Sequence, residues 1–192
     1  MDFKKAIALK NKKLYQALMG REEEEVIKLC REVPDGPMHV LTIHESTVLH
    51  WATYSKQVNL VFNLLGQLSD ADTHKLTTRS KAGNTILHEA ATSNQLVGAA
   101  AEMLRKAPEL LEIKNKRGET ALFRAARCGK TQMFRFLDEK VNVCLASEGE
   151  GVLEEGRRKF YQRSDETTIL HISILIEHFG EYSLYIGMTF PV

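Results

Sequence analysis

The side chains best suited to chemistry in this sequence are three histidines that recur within one short pattern. His50, His88 and His171 each stand three residues after a threonine, in the sequences TVLH, TILH and TILH. Imidazole is the commonest general base in proteins. An active site occurs once in a chain, however, so recurrence favours a structural role. We predict that each imidazole hydrogen-bonds at its threonine turn and braces that turn against its neighbour.

The other candidate catalytic groups lack the partners that their chemistry requires. Cys30, Cys128 and Cys144 are widely spaced and form no CxxC pair. Cys128 follows Arg127, and a neighbouring cation can lower the pKa of a thiol, so a thiol-based redox sensor or enzyme at Cys128 stays an alternative. The histidines lack the cysteines or the HExxH helix of a zinc site, and GEGVLEEG lacks the lysine of a phosphate-binding loop. We therefore predict no catalytic, cofactor or metal site.

The histidine pattern belongs to a longer sequence repeat. Residues 83–91 (GNTILHEAA) and 118–126 (GETALFRAA) are nearly the same, and weaker copies read STVLHWAT at 46–53 and TTILHISI at 167–174. Their threonines are 38, 35 and 48 residues apart. Self-similarity with a period of about 20–50 residues is typical of stacked repeat proteins.

Each copy predicts a turn followed by two short helices. Gly83 suits the turn, Thr85 suits the cap of the first helix, and Leu87 supplies its large apolar side chain. Neither helix can bury its apolar stripe alone, so consecutive units must stack. We predict an all-α solenoid of stacked helix-turn-helix units with polar turn and loop fingers. The residues of this repeat signature are Thr47, Leu49, His50, Gly83, Thr85, Leu87, His88, Gly118, Thr120, Leu122, Thr168, Leu170 and His171.

The repeat pattern also divides the chain into segments. We expect a basic N-terminal segment (1–11), a degenerate capping repeat (12–44), repeats at 45–81, 82–117 and 118–141, an inserted loop (142–165) and an incomplete terminal repeat (166–192). The insertion is rich in Gly, Glu, Ser and Arg, which favours an extended, mobile loop at the edge of the stack. The terminal repeat is apolar without a polar cap, and such a face favours partners or aggregation.

The composition is that of an ordinary soluble protein. Of 192 residues, 43% are hydrophobic, and the net charge is +1, a balance that argues against nucleic-acid binding. The sequence shows neither a signal peptide nor an apolar run long enough to span a bilayer. An odd number of unpatterned cysteines fits a reducing compartment, so we expect a cytoplasmic protein.

The repeat resembles the ankyrin repeat, whose units carry a Gly-x-Thr-Pro-Leu-His-x-Ala-Ala core. The unit that starts at Gly83 keeps every residue of this core except the proline, which Ile86 replaces. Another unit carries Phe123 where histidine is usual. A helix-pair repeat of the tetratricopeptide kind has a similar period but lacks the threonine turn.

The successive units are also similar to those of a plant ankyrin family. The sequences LYQALMGREEEEVIKL, KAGNTILHEAAT, PELLEIKNKRGETALFRAARCGK and YQRSDETTILHISILIEHF carry this likeness. The resemblance implies a role in defence or stress signalling and a membrane-embedded C-terminal domain, which this sequence does not contain. Two expectations follow, a truncated part of a membrane-anchored protein without independent function, or a free-standing adaptor.

Ankyrin resemblance further implies a concave partner-binding surface formed by the fingers and first helices. We expect exposed side chains there to form a mildly basic strip that binds an acidic or phosphorylated segment of another protein. Charge reversal of Arg117 and Arg127 should then abolish binding, unless these charges only keep the surface soluble. The candidate positions are Ser46, Tyr54, Ser55, Lys81, Ala82, Asn84, Thr92, Ser93, Lys116, Arg117, Glu119, Arg127 and Cys128.

Overall fold

The structure is a computed structural model that describes residues 3–146 and 153–175. Within these ranges the chain is helical, and its only extended pairings are isolated bridges, Val40 with Thr47 and Gln162 with Thr168. The α-helices are α1 (Phe3–Gly20), α2 (Glu23–Cys30), α3 (Val48–Tyr54), α4 (Val58–Gly66), α5 (Ile86–Ala90), α6 (Val97–Lys106), α7 (Ala121–Arg127), α8 (Thr131–Ala146), α9 (Leu153–Tyr161) and α10 (Ile169–Leu175).

The helices form two layers of a stack. Helices α3, α5, α7 and α10 contact one another in that order and form the inner layer, while α2, α4, α6 and α8 form the outer layer. Helices α3, α5 and α7 each pack against the outer helix that follows them, and α1 packs against α2 and α3. The all-α solenoid predicted from the repeat is therefore confirmed.

Threonine caps start the inner helices. The Thr47 Oγ1 accepts the backbone N–H of His50 at 3.2 Å, and Thr120 does the same for Phe123 at 3.2 Å. A threonine before the first helical residue satisfies a backbone donor that would otherwise lack a partner.

Small and large apolar side chains alternate in the core. The alanines of the inner helices are fully buried, so adjacent inner helices approach closely, and leucines from both layers fill the space between them. The fully buried alanines in or directly after α3, α5 and α7 are Ala52, Ala90, Ala91, Ala121, Ala125 and Ala126.

Four fingers project from the inner helices, here named finger 1 (41–46), finger 2 (80–84), finger 3 (115–119) and finger 4 (163–167). Each is closed by a backbone hydrogen bond between its first and last residues, 2.8 Å long in finger 2 and 2.9 Å in finger 3. Neighbouring fingers are also joined, since the N–H of Lys81 donates to His44 O at 2.7 Å and that of Lys116 to Ala82 O at 3.1 Å.

Glycine is required where the fingers lie closest. Gly83 has φ of +79°, and a Cβ there would lie 2.7 Å from the backbone nitrogen of Lys116. Gly118 has φ of +74°, and a Cβ there would overlap Ser164 of finger 4. These glycines therefore serve both the turn and the approach of the next finger.

The inserted segment 142–165 corrects the sequence expectation of an extended loop. Helix α8 continues to Ala146 because Val141 and Leu145 extend its buried stripe, and α9 occupies Leu153–Tyr161. The buried Tyr161 hydroxyl donates to Asp138 of α8, which holds α9 against the stack. Two buried aromatic residues at the end of α9 outweigh the loop-like composition of the segment.

The N-terminal expectation also changes. Helix α1 starts at Phe3, so the basic residues expected to form a separate segment at 1–11 belong to the first helix of the stack. Of the expected terminal repeat, residues 176–192 lie outside the described part of the chain.

Candidate partner-binding surface

An open groove of about 580 Å³ lies on the concave side, between fingers 1 and 2 and helices α3, α5 and α7. Trp51 and Tyr54 line one side, Lys81 lies at the finger, and Glu89 and Arg124 line the other side. A second, smaller depression of about 180 Å³ lies further along the stack, beside Arg117 and Arg127. The groove and the depression share Ala82, Asn84 and Arg124, so they form one continuous surface.

The first part of this surface is aromatic. Trp51 makes edge-to-face contacts with Tyr15, at 5.4 Å between ring centroids, and with Tyr54, at 5.7 Å. Trp51 is half-buried against the core, whereas 59% of Tyr54 is exposed. A packed tryptophan that supports an exposed tyrosine is an arrangement typical of binding hot spots.

A hydrogen-bonded network of buried polar side chains forms the floor of the surface. Asn84 donates to Glu89 at 2.9 Å, and Asn115 donates to the side chain of Asn84 at 3.0 Å. Asn115 also donates to Glu119 at 3.3 Å. The network joins fingers 2 and 3 to helix α5, which fixes the floor of the surface.

Two arginines neutralise the carboxylates of this network. Arg124 pairs with Glu89 at 3.2 Å, and Arg127 pairs with Glu119 at 2.9 Å. The Glu119 side chain is fully buried and also lies 3.9 Å from Arg163 of finger 4. An unpaired buried carboxylate is energetically costly. The main role of these arginines is therefore to balance the buried negative charges of Glu89 and Glu119.

The structure therefore sorts the candidate partner-binding residues. Tyr54, Lys81, Ala82, Lys116 and Arg117 are exposed. The half-buried ones are Ser46, Ser55, Thr92, Arg127 and Cys128.

Three candidates expected to be exposed are buried, namely Asn84, Ser93 and Glu119. The Asn84 and Glu119 side chains turn inward to the polar network, and Ser93 Oγ accepts the backbone N–H of Gln95 at 3.3 Å. The exposure predicted for these three positions is corrected because each side chain bonds to other groups of the protein instead of facing solvent.

The recurring histidines join each inner helix to the next finger. His50 Nδ1 lies 2.8 Å from Thr47 Oγ1, and its Nε2 lies 3.1 Å from Asn84 O. His88 is placed in the same way, 2.8 Å from Thr85 Oγ1 and 2.9 Å from Glu119 O. A carbonyl can only accept, so Nε2 carries the proton.

Burial keeps these bridging imidazoles neutral. Desolvation lowers the pKa of His50 and of His88 to about 4, although the backbone carbonyl that each imidazole faces acts in the opposite direction. His171 makes the same 2.8 Å contact with Thr168, on an exposed helix start. Phe123 cannot form such a bridge, and at that junction Thr120 Oγ1 donates to Phe160 O at 3.0 Å.

The cysteines occupy three different environments. Cys30 is buried, and burial raises the pKa of its thiol to about 12, which suppresses the reactive thiolate. Cys128 and Cys144 are half-buried thiols. In the described part of the chain, no three His, Cys, Asp or Glu side chains are grouped so as to hold a metal ion.

Several residues of the surface were not identified from sequence. Tyr15 comes from α1, Asn115 from the start of finger 3, and Glu89 and Arg124 from helix interiors. Asn84 ends finger 2 and Asn115 begins finger 3, and only the stack brings their side chains together. The pairing of Arg124 with Glu89 spans 35 residues, one repeat, and a search for charge pairs at the repeat period could have found it.

Comparison with known proteins agrees with this architecture. A family model described as ankyrin repeats, in three copies, matches residues 49–147. This is just over half of the chain, and the chain belongs to the ankyrin-repeat family. Curated proteins gave no match. Ankyrin repeats are generally protein-interaction modules, and proteins built from them are typically scaffolds rather than enzymes. Over the described residues, no helix is both long and apolar enough to cross a membrane.

Proposed function

We propose that this protein is an interaction scaffold that binds a segment of another protein along its concave surface. The observation that carries the proposal is the exposed Tyr54, supported by Trp51 and open to a groove about 580 Å³ in volume. Aromatic side chains supply large contact areas at small entropic cost, which suits them to protein interfaces.

The partner segment is proposed to be acidic or phosphorylated. Lys81, Lys116 and Arg117 are exposed on fingers 2 and 3, so an anionic segment can approach them directly. Arg127 contributes less than the sequence suggested, because its guanidinium pairs with the buried Glu119.

The cellular setting is proposed from the resemblance to the plant ankyrin family, which supports a role in defence or stress signalling. The three free cysteines of this chain support a cytoplasmic location, from which the plasma membrane would be reached through a partner or an anchor. Fractionation of source tissue, followed by immunoblotting with antibody to the repeats, tests this setting. A band confined to membranes and larger than 21.7 kDa would favour the anchored alternative.

The binding proposal is tested by quantitative capture of partners from source tissue on immobilised protein. A specific partner should be retained by the wild type and lost on the variants Tyr54→Ala and Arg117→Glu. Matched controls on the outer helix α8 are Val143→Ala, 70% exposed, and Lys140→Glu, also exposed. A partner that binds all four variants equally would place recognition elsewhere on the molecule and refute the proposal.

A further inference from the structure

The cations of the concave surface fall into two groups with different roles. Arg124 and Arg127 each lie within 3.2 Å of a buried carboxylate, Glu89 and Glu119 respectively. The positive charge of each arginine is therefore already balanced by its own carboxylate. A ligand that recruited them would leave a carboxylate buried without its partner, which is costly.

The second group is available to a ligand. Lys81, Lys116 and Arg117 are exposed at the fingers, and in residues 3–146 and 153–175 the structure shows no ion pair for them. They are spread over two adjacent fingers, Lys81 on finger 2 and Lys116 with Arg117 on finger 3, and the two fingers are joined by the bond from Lys116 N–H to Ala82 O. Phosphate recognition favours several donors converging on one group, whereas separated cations fit separated carboxylates.

The outer fingers carry the opposite charge. Finger 1 exposes Glu45, and finger 4 exposes Asp165 and Glu166. Asp165 pairs with Arg163 of the same finger, which holds the pKa of that carboxyl well below its usual range. The basic part of the surface is therefore limited to the two central fingers.

The aromatic and basic features follow one another along the stack. Tyr54 and Trp51 lie on α3, Lys81 on the finger that precedes α5, and Lys116 with Arg117 on the finger that precedes α7. Adjacent packed helices lie about 8–10 Å apart, so along the stacking direction the two basic fingers lie roughly one and two such steps from Trp51 and Tyr54. An extended peptide advances about 3.3 Å per residue, so these steps correspond to about three and about five or six residues.

From this register, which rests on the proposed function, we propose that the concave surface recognises an extended peptide with one aromatic or large aliphatic anchor and two carboxylates. The anchor contacts Tyr54 and Trp51. One carboxylate lies about three residues from the anchor and faces Lys81, and the other lies about five or six residues from it and faces Lys116 and Arg117.

The test is a selection of displayed random 12-residue peptides on the wild-type protein, with removal of those that also bind Tyr54→Ala. The proposal expects enrichment of an aromatic or large aliphatic residue with Asp or Glu at the stated spacings. Affinities of synthetic winners are then measured by fluorescence anisotropy against Lys81→Glu, against Lys116→Glu, and against the outer-helix control Lys140→Glu.

Each charge reversal should weaken binding about tenfold, and the control should not. Replacing only the peptide carboxylate that faces Lys81 with lysine should restore binding to Lys81→Glu. Three results would each overturn the proposed motif. They are enrichment of a different motif, charge-reversal losses in affinity that stay equal when the acidic residues of the peptide are scrambled, and the absence of any peptide whose binding depends on Tyr54. Partner capture by the concave surface tests the wider function separately, so a failure of the motif is distinguishable from a failure of the scaffold.

Discussion

At the scale of single residues, the contacts between threonine and histidine explain both a local turn and a long-range junction. Thr47 and His50 cap a helix that they begin, and the same imidazole reaches Asn84, 34 residues later. Local pattern predicted the first contact from the sequence TVLH. The second contact depends on stacking, which brings the carbonyl of the next finger within reach.

Acid should destabilise the fold through these imidazoles. His50 and His88 have folded-state pKa values of about 4, below the usual 6.5. The unfolded chain therefore binds more protons between these values, so stability is full above pH 6.5 and falls as the pH drops towards 4. Each histidine contributes up to about 3 kcal/mol of this loss. Urea unfolding from pH 7.5 to pH 4.5 measures it.

The control for this experiment is His88→Phe, which copies the residue naturally present at Phe123. We expect the variant to be less stable at neutral pH, because Glu119 O loses its donor, and to show a shallower pH dependence than the wild type. The difference between the two proteins isolates His88 from Asp138, whose pKa is raised by burial and whose contribution has the opposite sign. Equal slopes for both proteins would contradict the assignment.

The buried carboxylates in the floor of the concave surface should contribute more to the free energy of unfolding than exposed carboxylates do. Glu119→Ala leaves Arg127 without its carboxylate and removes one of the two side-chain acceptors of Asn115, and we expect a loss of about 2–3 kcal/mol in the free energy of unfolding. Glu112→Ala breaks an exposed pair with Lys159, 2.6 Å long, and should cost less than about 1 kcal/mol. Chemical unfolding of both variants gives the comparison, and similar losses would mean that the floor network adds little.

At the scale of elements, the fingers show how turn chemistry and packing combine. The sequence predicted glycine at the turn, and Gly83 and Gly118 do adopt positive φ. Glu45 and Glu166 adopt positive φ at the matching place in fingers 1 and 4. Backbone conformation alone therefore does not demand glycine there. The close approach of the next finger supplies the additional requirement at the two central positions.

Gly83→Ala should therefore destabilise the protein by at least about 1–2 kcal/mol, since it combines an unfavourable φ with a Cβ 2.7 Å from a backbone nitrogen. Gly66→Ala is the matched control, because a Cβ at Gly66 meets nothing within 4 Å at the end of α4. The control should be neutral or slightly stabilising. Thermal unfolding followed by circular dichroism compares them, and an unchanged midpoint for Gly83→Ala would disprove the packing argument.

At the scale of the whole molecule, repetition is what made the sequence informative. Thr47, Thr85 and Thr120 marked three units because the same local pattern served the same stacking role each time. Helix α9 occurs once, so no second copy identified it, and its buried Phe160 and Tyr161 were hidden in a segment of loop-like composition. The polar floor was likewise missed, since it joins side chains from separate units.

Stacking predicts that damage to one unit spreads to its neighbours. Leu87 is fully buried in α5, and Leu87→Ala should cost about 2–5 kcal/mol. Trp51, the single tryptophan, lies in the preceding helix α3. The unfolding transitions of Leu87→Ala followed by Trp51 fluorescence and by far-UV circular dichroism should therefore shift together relative to the wild type. Leu9→Ala, at a residue 51% exposed, should shift neither. A dichroism change without a fluorescence change would show that the units unfold independently.

The acidic outer fingers have a consequence for the length of what the surface can bind. Glu45 and Glu166 lie beyond the two basic fingers, one at each side. A short acidic run meets only attraction, but every additional carboxylate beyond that run comes to lie beside a like charge. We therefore expect the proposed surface to discriminate against long polyanions, such as polyglutamate tracts or nucleic acid strands, in favour of peptides with only a few adjacent negative charges.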